Sequence, residues 1–251
     1  MHPYLEDGFL AFAHRGGALE MPENTLAAFR RAAELGYRYL ELDVRATRDG
    51  RVAVFHDAEL DRVTDAEGLV SHCRWDELKS VRVAGREPIP LLEEVLDAFP
   101  ESKINIDAKD DAVVEPLTTL LRRADALARV CVGCFSAKRL ARLRRLLGTD
   151  ACTALGPGEV TRLWLAARLG IPPGSFTGRC AQVPVTHYGM EVVTPRFVKT
   201  CARAELPVHV WTIDDPVEMN RLIDMGVSGL MTDRPEVLKG ELQRRALWRG
   251  G

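Results

Sequence analysis

Seven side chains in this sequence are of the types that phosphate chemistry uses: His14, Arg15, Glu41, Asp43, His56, Asp107 and Lys109. Glu41 and Asp43 lie two residues apart in Arg38–Val44, where Leu40, Leu42 and Val44 alternate with them. Side chains alternate across a strand, so the apolar set faces one way and Tyr39, Glu41 and Asp43 the other. The stretch from Lys103 to Lys109 repeats the pattern, with Ile104, Ile106 and Ala108 on one face and Asn105, Asp107 and Lys109 on the other. If the apolar faces pack against helices, three carboxylates and a lysine converge at the strand ends. Crowded carboxylates in a low-dielectric mouth stay ionised only beside a compensating cation. Glu41, Asp43 and Asp107 therefore point to one divalent metal, and all-oxygen ligands suit Mg²⁺, Ca²⁺ or Mn²⁺ rather than zinc or copper. A buried salt-bridge network with Arg15, Arg45 or Lys109 is the alternative use of the same acids.

His14 and Arg15 close an apolar run and precede Gly16 and Gly17, a turn whose backbone can approach a ligand while the guanidinium offers a fork for phosphate. His56 ends the short run Val52–Phe55. Two histidines beside a metal and a phosphate-binding arginine are what phosphodiester cleavage requires, one as base and one as acid.

The elements that must carry these residues alternate along the chain. Strands are predicted at Phe9–His14, Arg38–Val44, Lys103–Ala108, Arg129–Cys134, Asp150–Leu155, Cys180–Val183, Val208–Thr212 and Gly229–Thr232. Helices are predicted at Asn24–Leu35, Leu91–Ala98, Asp111–Ala124, Ala137–Leu147, Glu159–Leu169, Pro195–Ala204, Pro216–Met225 and Pro235–Leu247. Strand then helix, eight times, is the order of an α/β parallel (β/α)₈ barrel, and 251 residues is the size of one such domain, spanning 1–251. Asp57–Pro90 is too long for an ordinary connection and reads as an insertion after the second strand, over the catalytic face. Asn24 is expected to cap the first helix, with Glu23 favouring its dipole. Trp211, at the end of the seventh strand, suits either the barrel core or the pocket.

Hydrophobic residues at 46% and charged residues at 28% are globular usage, and a net charge of -2 gives no basic field for nucleic acid. No apolar run reaches the length of a membrane span, and the first residues show neither a basic region nor a cleavage site, so a cytoplasmic protein without stable membrane insertion is expected. The six cysteines are scattered and read as buried thiols, the lone Cys131–Cys134 pair lacking a second pair for zinc. Nothing in the sequence defines an oligomeric state.

His14-Arg15-Gly16-Gly17, Pro22-Glu23-Asn24-Thr25, Glu41-Leu42-Asp43-Val44, Asp49-Gly50 and His56-Asp57 together resemble the opening signature of the glycerophosphodiester phosphodiesterase family. Ile89 to Leu96, Val210-Trp211-Thr212 and Gly229 to Pro235 continue the resemblance along nearly the whole chain. It implies a TIM barrel with a small insertion after the second strand and metal-dependent hydrolysis of a small-molecule glycerophosphodiester to glycerol 3-phosphate and an alcohol. It also implies a cation on Glu41, Asp43 and Asp107, an acid/base pair in His14 and His56, phosphate neutralisation by Arg15 and Lys109, and a pocket wall at Trp211. Asp107 stands where the family usually carries Glu, and Glu205 where it carries Gly. Lysophospholipase D or sphingomyelinase D activity, or a decayed barrel used for binding, are the alternatives. The charged insertion, with Arg62, Asp65, Glu67, Arg74 and Lys79, favours a soluble substrate over a lipid.

Overall fold

The computed structural model describes residues 2–5 and 8–250; the two chain ends of the expected 1–251 domain and the acidic pair before Gly8 lie outside them. Eight parallel strands form the central sheet: β1 (Leu10–Ala13), β2 (Tyr39–Ala46), β3 (Lys103–Ala108), β4 (Val130–Gly133), β5 (Cys152–Thr153), β6 (Ala181–Pro184), β7 (Val208–Trp211) and β8 (Gly229–Thr232). Their order is β5-β4-β3-β2-β1-β8-β7-β6. The ring closes where Ala154 bridges Cys180 in parallel, with the Leu155 amide donating to the Cys180 carbonyl at 2.9 Å. The eight connecting helices are α1 (Leu26–Glu34), α2 (Leu92–Ala98), α3 (Val114–Arg123), α4 (Ala137–Leu147), α5 (Pro157–Leu169), α6 (Pro195–Arg203), α7 (Pro216–Met225) and α8 (Pro235–Arg244).

Strand alternation sets the two sides of the ring. Leu40, Leu42, Val44, Ile104 and Ile106 are buried against Phe29, Leu92, Leu96 and Leu117 of the helices, as expected. Phe12, Tyr39, Cys131, Cys152, Cys180 and Met231 fill the interior. Tyr4 closes the floor of the barrel, its ring edge-on to Tyr39 at 5.3 Å and its backbone carbonyl accepting from the Tyr39 hydroxyl at 2.6 Å.

Several expected boundaries shift. Asn24 does not cap α1: Thr25 does, its hydroxyl accepting from the Ala28 amide, while Asn24 adopts φ 58° and turns its amide elsewhere. The fifth strand shrinks to Cys152–Thr153, because only Cys131 and Thr153-facing Val132 of β4 offer ladder partners there. Gly16 and Gly17 are required by packing more than by a ligand. Both have positive φ, and a Cβ would stand 2.6 Å from the Ala28 Cβ and 2.6 Å from the Pro235 Cγ respectively. Glu205, in place of glycine, holds the left-handed φ of 54° in the turn before β7. Of the six cysteines, all free, only Cys73 is not buried.

Val52–Val54 adds antiparallel to β2. The segment beyond it carries a short helix, Trp75–Leu78, and a two-stranded ladder of Arg82–Val83 with Glu87–Pro88. Phe55, Leu60, Val70, Leu78, Val83 and Ile89 give it a small core of its own. Among the described residues no helix is long and apolar enough to cross a membrane.

Candidate active site

Register brings the acids together. Asp43 pairs with Asp107 across β2 and β3, and Glu41 with Asn105, so equivalent inward positions stack at the strands' C-terminal ends. All seven residues singled out in the sequence, and Trp211 with them, line one cavity of about 400 Å³ at this mouth. Trp211 is therefore a pocket residue, packed edge-on against Phe135 at 5.5 Å.

The two histidines are held alike. His14 donates from Nδ1 to Asp233 Oδ1 at 2.7 Å, and His56 from Nδ1 to Asp57 Oδ1 at 2.5 Å. A carboxylate accepts in each case, which places the ring hydrogen on Nδ1 and leaves Nε2 for other chemistry. His14 Nε2 lies 3.7 Å from Glu41 Oε2. Burial works against a charge on His14, but Glu41 and then Asp233 outweigh it and raise its pKa. Burial lowers that of His56, with Asp43 opposing and Lys109 adding to the effect.

Lys109 Nζ spans Asp43 Oδ1 at 2.9 Å and Asp107 Oδ2 at 2.6 Å, and Arg15 Nε lies 3.1 Å from Asp43 Oδ2. Asn24 donates to Asp43 Oδ2 at 2.9 Å and accepts from the Asp43 amide, so it holds a site acid rather than a helix end. Arg45 is not part of this network: it reaches Asp110 at 3.7 Å and the His56 carbonyl. Burial raises Asp43, but Lys109 and Arg15 outweigh it and leave it below the ordinary carboxylate range. Burial raises Glu41 to about 7, with His14 opposing and Asp43 reinforcing.

The donor chemistry fits a hard divalent cation. Asp107 Oδ1 is fully buried without a hydrogen-bond partner, and Glu41 is a buried carboxyl whose neighbouring Asp43 is another. As the side chains stand, no three acids or histidines among the described residues converge on one point, and the Lys109 ammonium takes the space between Asp43 and Asp107.

Three further residues escape a strand-by-strand reading. Asp233, 219 positions from His14, and Asp57 orient the histidines. Glu23 accepts from Arg15 at 3.2 Å and from Arg62 of the insertion at 2.7 Å, and Arg62 also donates to Asp57. The insertion is thus tied to the rim through ion pairs at both Arg15 and His56. Their only advance signal is a place in the motifs that carry Pro22-Glu23, His56-Asp57 and Thr232-Asp233.

Residues 14–237 match the model of the glycerophosphoryl diester phosphodiesterase family. The chain belongs to that family. It is 38% identical over 97% of its length, and 94% of the other protein's, to the Mycobacterium tuberculosis protein named "Probable glycerophosphodiester phosphodiesterase 2". A solved glycerophosphodiester phosphodiesterase from Parabacteroides distasonis superposes with a TM-score of 0.78 at 24% identity, covering 96% of this chain and 100% of that one. An Oleispira antarctica phosphodiesterase, solved in complex with sn-glycerol-3-phosphate as product, superposes at 0.77 with 20% identity over 94% and 97%. Those likenesses establish the TIM barrel that the strand order describes.

Proposed function

We propose that this family member hydrolyses glycerophosphodiesters to glycerol 3-phosphate and an alcohol, with His14 and His56 as the acid/base pair. The observation that carries the reading is the paired anchoring of both imidazoles, Nδ1 to its own carboxylate, in one cavity with two cations. Arg15 and Lys109 neutralise the phosphate. One histidine takes the proton of the nucleophile, water or the neighbouring glycerol hydroxyl, as its oxygen bonds to phosphorus. The other gives a proton to the departing alkoxide as the old P–O bond breaks. Trp211 walls the substrate's arm, and Glu41, Asp43 and Asp107 would hold a Mg²⁺, Ca²⁺ or Mn²⁺ ion. When bound, such an ion supplies charge to the phosphoryl oxygens as a Lewis acid.

A coupled assay for glycerol 3-phosphate over a panel of glycerophosphodiesters, with EDTA and with each metal restored, tests this. Release that EDTA abolishes and a metal restores is expected. Absence of release from every diester at every metal would sink the reading.

A further inference from the structure

The cavity has two unlike halves. The half above β1–β3 carries the histidines, acids and cations. The other half, above β4–β7, is walled by Leu155, Val160, Trp164, Val183, Met190 and Val192. In the ring order, the seam between β5 and β6 lies opposite β1 and β2, so this apolar trough is across the mouth from the charged insertion that follows β2. Lys109 Nζ sits 5.8 Å from the centre of the Phe135 ring, and Phe135 stands edge-on to Trp211, so these two aromatics form the threshold between the halves.

The outer wall is a hairpin, Thr186–His187 paired with Met190–Glu191, within the β6–α6 connection. Trp164 of α5 pins it by donating from its indole nitrogen to the Glu191 carbonyl at 3.0 Å. The hairpin leaves Tyr188 90% and Met190 47% exposed, and Phe135 is 64% exposed beside them. Large apolar side chains held in water around a cavity lose nothing only if something apolar enters it. Continuity with the catalytic residues identifies that occupant as part of the substrate rather than a separate partner.

We propose that one arm of the phosphodiester carries a single acyl or alkyl chain, and that the trough between α5 and the Thr186–Glu191 hairpin holds it. This rests on the phosphodiesterase reading and departs from the soluble substrate that the charged insertion favours. The chain lies along Val160, Trp164 and Met190, and the phosphate remains at Arg15 and Lys109.

The test is chain-length dependence. Two series place the chain differently: 1-acyl-glycerophosphocholines carry it on the glycerol, and glycerophospho-N-acylethanolamines on the leaving alcohol. All are used below their micelle-forming concentrations, with glycerophosphocholine as the chainless reference. Each buried methylene is worth about threefold, so kcat/KM should rise roughly 30- to 100-fold from butanoyl to octanoyl in one series. Met190→Asp, on the exposed hairpin, and Val160→Asp, on α5, should each flatten that rise. A flat profile in both series, with glycerophosphocholine hydrolysed normally, overturns the trough and leaves the phosphodiesterase reading intact. If no diester is hydrolysed, the phosphodiesterase reading fails, and calorimetric titration with alkylphosphocholines of increasing length decides the trough: affinity rising with length supports it, and equal affinities overturn it.

Discussion

Two layers fill the barrel interior, built by the same strands two residues apart. In the lower one, His209 of β7 is fully buried against Phe12, ring centres 4.9 Å apart, and neither of its nitrogens has a partner. Burial alone pushes its pKa down to about 3, so it is neutral. In the upper layer Glu41 and Asp43 are about as deeply buried, yet Asp43 stays ionised because Lys109 and Arg15 outweigh its burial. Depth by itself silences a titratable group; depth among opposite charges keeps it ionised and directed. The lower layer is for holding the barrel, and the upper for chemistry.

Substitutions can break that division. In the upper layer, His14→Ala and His56→Ala should each cut turnover by roughly 10² to 10⁴ with the melting temperature little changed; near-normal turnover in either would make that histidine structural. Asp233→Asn and Asp57→Asn leave both imidazoles present but misdirected, and should cost about 10- to 100-fold in kcat with KM little altered. A pure KM effect there would instead assign these carboxylates to substrate binding. For Asp107, calorimetry with Mg²⁺, Ca²⁺ and Mn²⁺ should show weaker binding of all three after Asp107→Asn, and Mg²⁺ held as well or better after Asp107→Glu, which lengthens the reach. Unchanged binding by Asp107→Asn would leave the Lys109 ion pairs as that residue's whole role.

The smallest effect belongs to the lower layer and concerns acid. The unfolded chain protonates His209 near the ordinary value of 6.5, whereas the fold keeps it neutral down to about 3. Its contribution is therefore present above pH 6.5 and lost as pH falls through that window, since unfolding takes up a proton there. His209→Leu should shallow the fall in melting temperature between those limits without changing turnover at neutral pH. A lost activity, with the acid slope intact, would place His209 in the upper layer's business.

Period-two alternation made Glu41, Asp43, Asp107 and Lys109 legible, because β2 and β3 pair in a register that keeps equivalent residues level. The helix order was legible for the same reason: Thr194 and Asp215 cap their helices within a turn of the prolines that follow them. Asn24 misled because capping is a local rule, whereas its amide answers to Asp43 nineteen positions on. Asp233 was beyond local reading altogether, since only ring closure of β8 onto β1 sets it beside His14. The trough was equally hidden. Leu155, Val160 and Val183 look like ordinary strand and helix core until the single bridge between β5 and β6 leaves the space above them open.

That bridge has a dynamic consequence. Most neighbouring strands of the ring share several paired residues, but β5 and β6 meet through Ala154 and Cys180, helped by the amides of Leu155 and Arg179 donating to the Cys180 and Thr153 carbonyls. A closed ring breathes where its ladder is shortest, because the fewest hydrogen bonds must break together. The amides of Leu155 and Arg179 are then the ones from which deuterium enters the barrel wall first. The gap they open lies at the foot of the apolar trough, so the seam that closes the cylinder is also its expansion joint.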